Sequence, residues 1–364
     1  MKSCITMAKK VIVFGTRPEF IKLIPVFKEI KKQGLDNDFL SICTGQHGDM
    51  LDELMAHFHF TPDYSIASRD HGNSLVFSFS FILSELQICI DEIQRHNDIR
   101  MMIAQGDTTS TACTAQCAFF NNIPFGHIEA GLRTQDLGNP FPEEYYRKMI
   151  SLGAAVHFVP GPHARENLLR EGVPEEKILL TGNTIVDVVA MLKPALTEDQ
   201  RDHVLITYHR RENQNGRFHA FTDGLREVAA THPELKFIWI SHQSPFIREN
   251  LLPELFGGLE NITMIPPLLL TDLYALLGKT CVIITDSGGL QEEAPDFNIP
   301  VIVVREKTER TESVDLGYSR IVPNPEKDLL RVFNEIIHFG PISMINPYGD
   351  GHAAQKIVNC LLKY

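Results

Sequence analysis

The chain has 364 residues, 43% of them hydrophobic and 22% charged, with a formal net charge of −12. That length exceeds one ordinary core and predicts two domains, and the apolar content excludes a disordered chain. The acidity, with no dense Lys/Arg run, argues against a nucleic-acid-binding face, so any bound anion must be held by a few placed cations and backbone amides.

Lys9 and Lys10 precede an apolar stretch, but Val11–Phe14 is too short for the core of a signal peptide. No run approaches the ~18 apolar residues that a membrane helix requires. Seven scattered cysteines without a CxxC pattern predict reduced thiols and a cytoplasmic protein.

In chain order, KVIVFG, DFLSIC, IRMMIAQ, PFGHIEA, VHFVP and KILLTGN read as short buried strands. Amphipathic stretches such as NSLVFSFSFILSELQICIDEIQRHN separate them. This alternation predicts a parallel sheet with helices on both faces. Pro25 falls inside the first helical pattern, where a kink is expected.

Near MLKPALTEDQRDH the pattern resets, and residues 190–202 read as a linker. A second strand series follows: HVLITYH, KFIWISH, NITMIPP, CVIITDSGG, PVIVVRE and SRIVP. The expected organisation is α/β, with two doubly wound Rossmann-like domains and a cleft between them. The N-terminal domain covers 1–192 and the second domain 203–340. A helical segment, 341–364, is expected to pack back on the first domain.

In open α/β sheets ligands lie beyond the carboxyl ends of the strands, and the polar clusters fall there. GTRPEFIK (Gly15–Lys22) is a strand, a glycine turn and a helix start. Its free N–H groups, with Arg17 and Lys22, suit a phosphate, although an ordinary capped turn reads the same way. GDTTS places Asp107 at a strand end, as a functional carboxylate or a simple cap.

HIEAGLRTQDLGNPFPEEYYR (His127–Arg147) crowds acids and bases onto a loop stiffened by glycine and proline. TYHRREN (Thr207–Asn213) sets a histidine and arginines after a strand, an anion site or a solvated turn. In TDSGGLQEE, Ser287, Gly288 and Gly289 can bring backbone amides to a diphosphate, and Glu292 or Glu293 can accept from a ribose diol. No Walker A loop, HExxH or zinc-type Cys/His spacing appears, and the lone GxGxxA match at Gly349 follows no strand. Nothing therefore predicts a nicotinamide cofactor or a metal.

Taken in order, GTRPEFIK, TGQH, GDTTS, HIEAGLRT, NPFPEE, GNT, HRREN, TDSGGLQEE and TERTE resemble the motif series of the bacterial non-hydrolysing UDP-N-acetylglucosamine 2-epimerases. The resemblance runs from about Lys10 to at least Gly317. It implies the two-domain fold of GT-B glycosyltransferases and a homodimer. It also implies interconversion of UDP-GlcNAc and UDP-ManNAc with no cofactor and no metal.

Residue by residue, the resemblance makes Asp107, Glu129, Glu143 and His209 the catalytic set. It assigns Arg17, Lys22, Arg133, Arg210, His242, Ser287, Gly288, Gly289, Glu293 and Arg310 to UDP, its phosphates and ribose. Gln46 and His47 match an activator site. Leu273 stands where relatives place a phenylalanine on the uracil, which leaves neighbouring Tyr274 as the expected substitute.

The chemistry fits those residue types. The sugar C2–H is not beside a carbonyl, so elimination of UDP to a glycal and re-addition is the available route, and it needs carboxylates as base and acid. A hydrolysing 2-epimerase, a GT-B glycosyltransferase and a non-catalytic sugar-nucleotide sensor are the competing readings.

Overall fold

Residues 11–14 form an unbroken apolar run because both faces of their strand are covered. Val11 and Val13 enter the core on one side of the sheet, and Ile12 and Phe14 enter the core on the other. The computed structural model describes residues 7–46, 48–67, 74–194, 201–208, 217–240, 258–337 and 345–364. The chain divides into two compact units, Met1–Val188 with Gly349–Tyr364, and Val189–Tyr348.

The first unit contains β1 (Met7–Phe14), α1 (Arg17–Lys32), β2 (Phe39–Cys43), α2 (Asp49–His57), β3 (Tyr64–Ser65), α3 (Leu75–Gln94) and β4 (Asn97–Gln105). It continues with α4 (Thr109–Phe120), β5 (Phe125–Ile128), α5 (Glu143–Gly153), β6 (Val156–Val159), α6 (Pro162–Arg170), β7 (Ile178–Leu180) and the start of α7 (Thr184–Leu192). The strands form one parallel sheet in the order β3-β2-β1-β4-β5-β6-β7. The order turns back between β1 and β4, which opens a crevice at their carboxyl ends.

Helix α1 starts with a capping box. The Thr16 hydroxyl accepts from Glu19 N, and the Glu19 carboxylate accepts from Thr16 N. The helix runs unbroken from Arg17 to Lys32 with Pro25 inside it.

In the second unit β8 (His203–Thr207), α8 (Arg217–Thr231), β9 (Lys236–Ile240), β10 (Ile262–Ile265), α9 (Leu270–Leu277), β11 (Thr280–Thr285) and α10 (Gly288–Glu293) precede β12 (Val301–Val303), α11 (Thr311–Asp315), β13 (Ser319–Ile321) and α12 (Pro325–Ile337). Its parallel sheet has the order β10-β9-β8-β11-β12-β13, so the switch lies between β8 and β11. Trp239, Phe218, Phe221 and Phe333 fill one core of this unit.

The last helix, α13 (Ala353–Leu361), belongs to the first unit. Ala354, Ile357, Val358 and Leu361 join the core that also holds Phe20 and Leu23 of α1. Its first turn is capped from a distance: Asp187 of α7 accepts from Ala353 N at 3.1 Å and Ala354 N at 2.8 Å. Two backbone donors that a helix start leaves over are thereby satisfied. Among the described residues no helix is long and apolar enough to cross a membrane.

Candidate active site

The first βα turn and the turn after β4 flank the crevice of the first unit. Glu19 joins them. One oxygen of its buried carboxylate accepts from Gly15 N at 2.8 Å and Thr16 N at 2.7 Å, and the other accepts from the hydroxyls of Thr108 and Thr111. Burial holds this carboxyl above its ordinary range, against the opposing pull of those donors. A β-carbon at Gly15 would overlap the hydroxyls of Thr44 and Ser110, so the two loops touch only because this residue is glycine.

The Gln46 amide oxygen accepts from Ser110 N at 3.1 Å and Ser110 Oγ at 2.7 Å, which ties the turn after β2 to the start of α4. Three turns of the sheet are thus linked by side chains. Arg17 is the first residue of α1 and is half-buried.

Glu129 follows β5 with a backbone φ of 66°, an uncommon conformation for a residue with a β-carbon. Its carboxylate is almost fully buried. Lys22 Nζ lies 2.6 Å from Oε1, Asn183 Nδ2 lies 2.9 Å from the same oxygen, and Gln105 Nε2 donates to Oε2. A β-carbon at Gly106 would stand 3.8 Å from Oε2, so Glu129 lies against the turn that carries Asp107.

Asp107 is partly exposed, and its Oδ2 accepts from Arg147 Nε at 2.7 Å. Arg147 Nη1 reaches Glu144 Oε2 at 3.0 Å. The fully buried Glu144 also accepts from Thr134 N and Gln135 N, both at 3.0 Å. One carboxylate thereby folds the loop after Arg133 back onto α5, whose first residue is the half-buried Glu143. The loop contains cis peptides before Pro140 and Pro142.

Beneath the carboxylates lie two buried imidazoles, His127 on β5 and His157 on β6, which are register partners. His127 Nε2 donates to the Gly106 carbonyl at 2.8 Å. Burial pushes His127 down to about 4, although Asp107 and Glu129 pull it upward. Burial, with the nearby positive charge of Arg133, pushes His157 down to about 3. Both rings are therefore neutral near pH 7.

In the second unit the turn after β11 places Ser287 at the start of α10, with Ser287 N donating to Thr285 Oγ1 at 2.8 Å. Gly288 lies under the Arg310 guanidinium: a β-carbon there would sit 2.6 Å from Cζ. Gly289 is the next residue of α10, and Glu293, its last, is buried. Arg310 pairs with Glu292 at 3.0 Å and with Glu309, and Arg305 pairs with Glu309 at 3.0 Å. This buried ionic network fixes the segment 305–310 against α10.

Three residues expected at the site have other partners in this structure, and four more lie outside the described residues. Lys22, read as a phosphate cation, pairs with the carboxylate of Glu129. Arg133, read as a substrate contact, has a side chain that is 0% exposed, and it is bidentate on Glu171 and bonded to Ser151 and the Leu132 carbonyl. These partners enclose its guanidinium. Tyr274 does not replace the uracil-stacking ring. Leu270, Tyr274 and Leu277 share the inward face of α9, and Tyr274 is fully buried 5.5 Å from Phe297. His47, His209, Arg210 and His242 lie outside the described residues.

Gln105, Asn183, Glu19, Arg147 and Glu144 carry the geometry without having been singled out. Glu19 had a visible signal, the T-x-x-E capping box of Thr16–Glu19. Asn183 sits in GNT, but only the fold brings it to Glu129.

A family model described as UDP-N-acetylglucosamine 2-epimerase matches residues 28–362. A probable UDP-N-acetylglucosamine 2-epimerase of Ralstonia solanacearum is 35% identical, over 98% of this chain and all of that protein. The crystal structure of the Neisseria meningitidis UDP-GlcNAc 2-epimerase bound to UDP-GlcNAc is 33% identical with a TM-score of 0.88, covering 98% of this chain and 100% of that one. The Methanocaldococcus jannaschii enzyme in complex with UDP-GlcNAc and UDP is 27% identical with a TM-score of 0.85, covering 98% and 100%. With two Rossmann-like parallel sheets and full-length similarity of this degree, the chain belongs to the UDP-N-acetylglucosamine 2-epimerase family.

Proposed function

We propose that this protein is a non-hydrolysing epimerase that interconverts UDP-GlcNAc and UDP-ManNAc and feeds bacterial surface polysaccharide synthesis from the cytoplasm. A base takes the C2 proton, the C2–H electron pair becomes the C1=C2 bond, and the C1–O pair leaves with UDP. The 2-acetamidoglycal is then protonated at C2 on its other face while UDP adds back to C1. Atoms balance without a redox cofactor or metal.

The observation that carries this reading is the placement of Glu129 against the Gly106–Asp107 turn, at the switch point of the first sheet. Proton transfer at one carbon needs carboxylates held in a fixed mutual arrangement. Glu143, at the start of α5, and His209 complete the catalytic set. In the same reading Ser287, Gly288, Gly289 and Glu293, with Arg210, His242 and Arg310, hold the diphosphate and ribose. Exposed Phe119 and Phe120 at the end of α4, and Leu152 at the end of α5, support a homodimer formed through the first unit.

The test is product identity. Protein given UDP-GlcNAc alone should yield UDP-ManNAc at equilibrium with substrate, followed by proton NMR. Release of free N-acetylmannosamine and UDP in equal amounts would place the chain with hydrolysing enzymes. No reaction without an acceptor sugar would favour a glycosyltransferase.

A further inference from the structure

The partners of Glu129 share one property. Lys22 Nζ, Asn183 Nδ2 and Gln105 Nε2 come from α1, the turn before α7 and the end of β4, and each is a donor. The orientation of the Asn183 amide is fixed by a second bond. Its Oδ1 accepts from Ile185 N at 3.1 Å as part of the turn into α7, so Nδ2 must face the carboxylate. The Gln105 side chain has its amide nitrogen on Oε2. Asn183 is thus unable to turn its carbonyl toward Glu129 to meet an acidic proton.

We infer that Gln105 and Asn183 are positioning residues for the epimerase reaction, two neutral amides that keep Glu129 ionised and aimed as a proton acceptor at the start of turnover. The inference rests on the epimerase reading for its catalytic consequence. Neutral amides suit this task, because they donate at every working pH and leave the net charge of the site unchanged. Donors to the charged form favour it. The φ of 66° at Glu129 fixes the backbone from which the side chain departs, and the two amides grip opposite oxygens, so the plane of the carboxylate is set as well.

Among the described residues, the charged and titratable groups near it include Lys22 from α1, His127 from β5 and Asp107 from the turn after β4. Lys22 favours the anion and Asp107 opposes it. His127 is neutral over the working range and adds no charge.

Two substitutions separate aim from scaffolding. Asn183→Asp keeps an oxygen for Ile185 N but replaces the donor with a charge. Gln105→Met keeps length and bulk and removes the donor. Each variant is compared with wild type for UDP affinity by calorimetry and for kcat and KM across pH. UDP affinity should stay within about twofold, kcat should fall about tenfold to a hundredfold, and the acid limb of the kcat profile should move to higher pH, by about one unit in Asn183→Asp. Unchanged acid limbs in both variants would overturn the inference.

A second readout does not depend on activity. In protein labelled with carboxyl-13C glutamate, the Glu129 signal is the one missing from Glu129→Gln. Its titration midpoint should be higher in Asn183→Asp than in wild type. Equal midpoints would overturn the inference whether or not either protein turns over, and wild type inactive on UDP-GlcNAc with a shifted midpoint would sink only the epimerase reading. If Gln105→Met does not fold, Asn183→Asp alone decides.

Discussion

Lys22 Nζ stands 2.6 Å from Glu129 Oε1, and both side chains are almost fully buried. A lysine on the first helix thus meets a carboxylate that follows the fifth strand. Lys22→Met should leave UDP affinity within about threefold, and kcat should fall about tenfold to a hundredfold, the scale of one charge-assisted hydrogen bond. Calorimetry and initial rates separate the cases: a large loss of UDP affinity with little change in kcat would return Lys22 to the diphosphate.

Glu129→Gln should lower kcat by ~10²–10⁴, the usual worth of a positioned acid or base. It should also lower stability, because the new amide nitrogen faces donors: Lys22 and Asn183 on one oxygen, Gln105 on the other. A cost of about 1–3 kcal/mol is expected for a donor left facing donors. Urea unfolding reads it. A variant as stable as wild type would mean that the three donors relax away freely.

Arg310 is part of a buried network with Glu292, Glu309 and Arg305, and its guanidinium covers Gly288. Arg310→Ala removes one partner of a buried set, a change that costs roughly 3–5 kcal/mol. The thermal midpoint should therefore drop in the absence of any nucleotide. If only UDP affinity changes and the melting curve does not, Arg310 acts on the ligand alone.

The two buried histidines predict how stability depends on pH. Their ordinary value of 6.5 applies to the unfolded chain, while the fold pushes His127 to about 4 and His157 to about 3. Between those values the unfolded chain binds protons that the native state refuses. Their contribution is complete above about pH 6.5 and is lost as the pH falls through 4 and toward 3. In His157→Phe the acid loss of stability should be shallower than in wild type, by an amount on the order of a few kcal/mol at pH 4. Parallel stability–pH curves for the two proteins would show that His157 remains neutral in the unfolded chain too, or that another group sets the acid limb.

The two parallel sheets were legible because buried parallel strands read as short apolar runs between helical patterns, and each polar cluster marked a strand end. Asp107 and Glu129 stood out as carboxylates at strand ends for the same reason. The pairing of those groups was not legible. Lys22 meets Glu129 across 107 positions, and Gln105 meets it across 24, so sequence spacing carries no signal of either contact. Arg133 looked like a ligand contact from its motif, yet the fold closes Glu171 and Ser151 around it. Tyr274 looked available beside Leu273, yet a helical period of 3.6 turns adjacent residues to different faces, and Tyr274 is the one that faces the core.

Epimerisation through a glycal breaks and remakes the C2–H bond within the active site. Wild-type protein incubated with UDP-GlcNAc in deuterated water, followed by NMR, tests it most directly. UDP-ManNAc should form with deuterium at C2 and at no other sugar carbon, and recovered UDP-GlcNAc should gain the same label. UDP-ManNAc formed with protium at C2 throughout would contradict it.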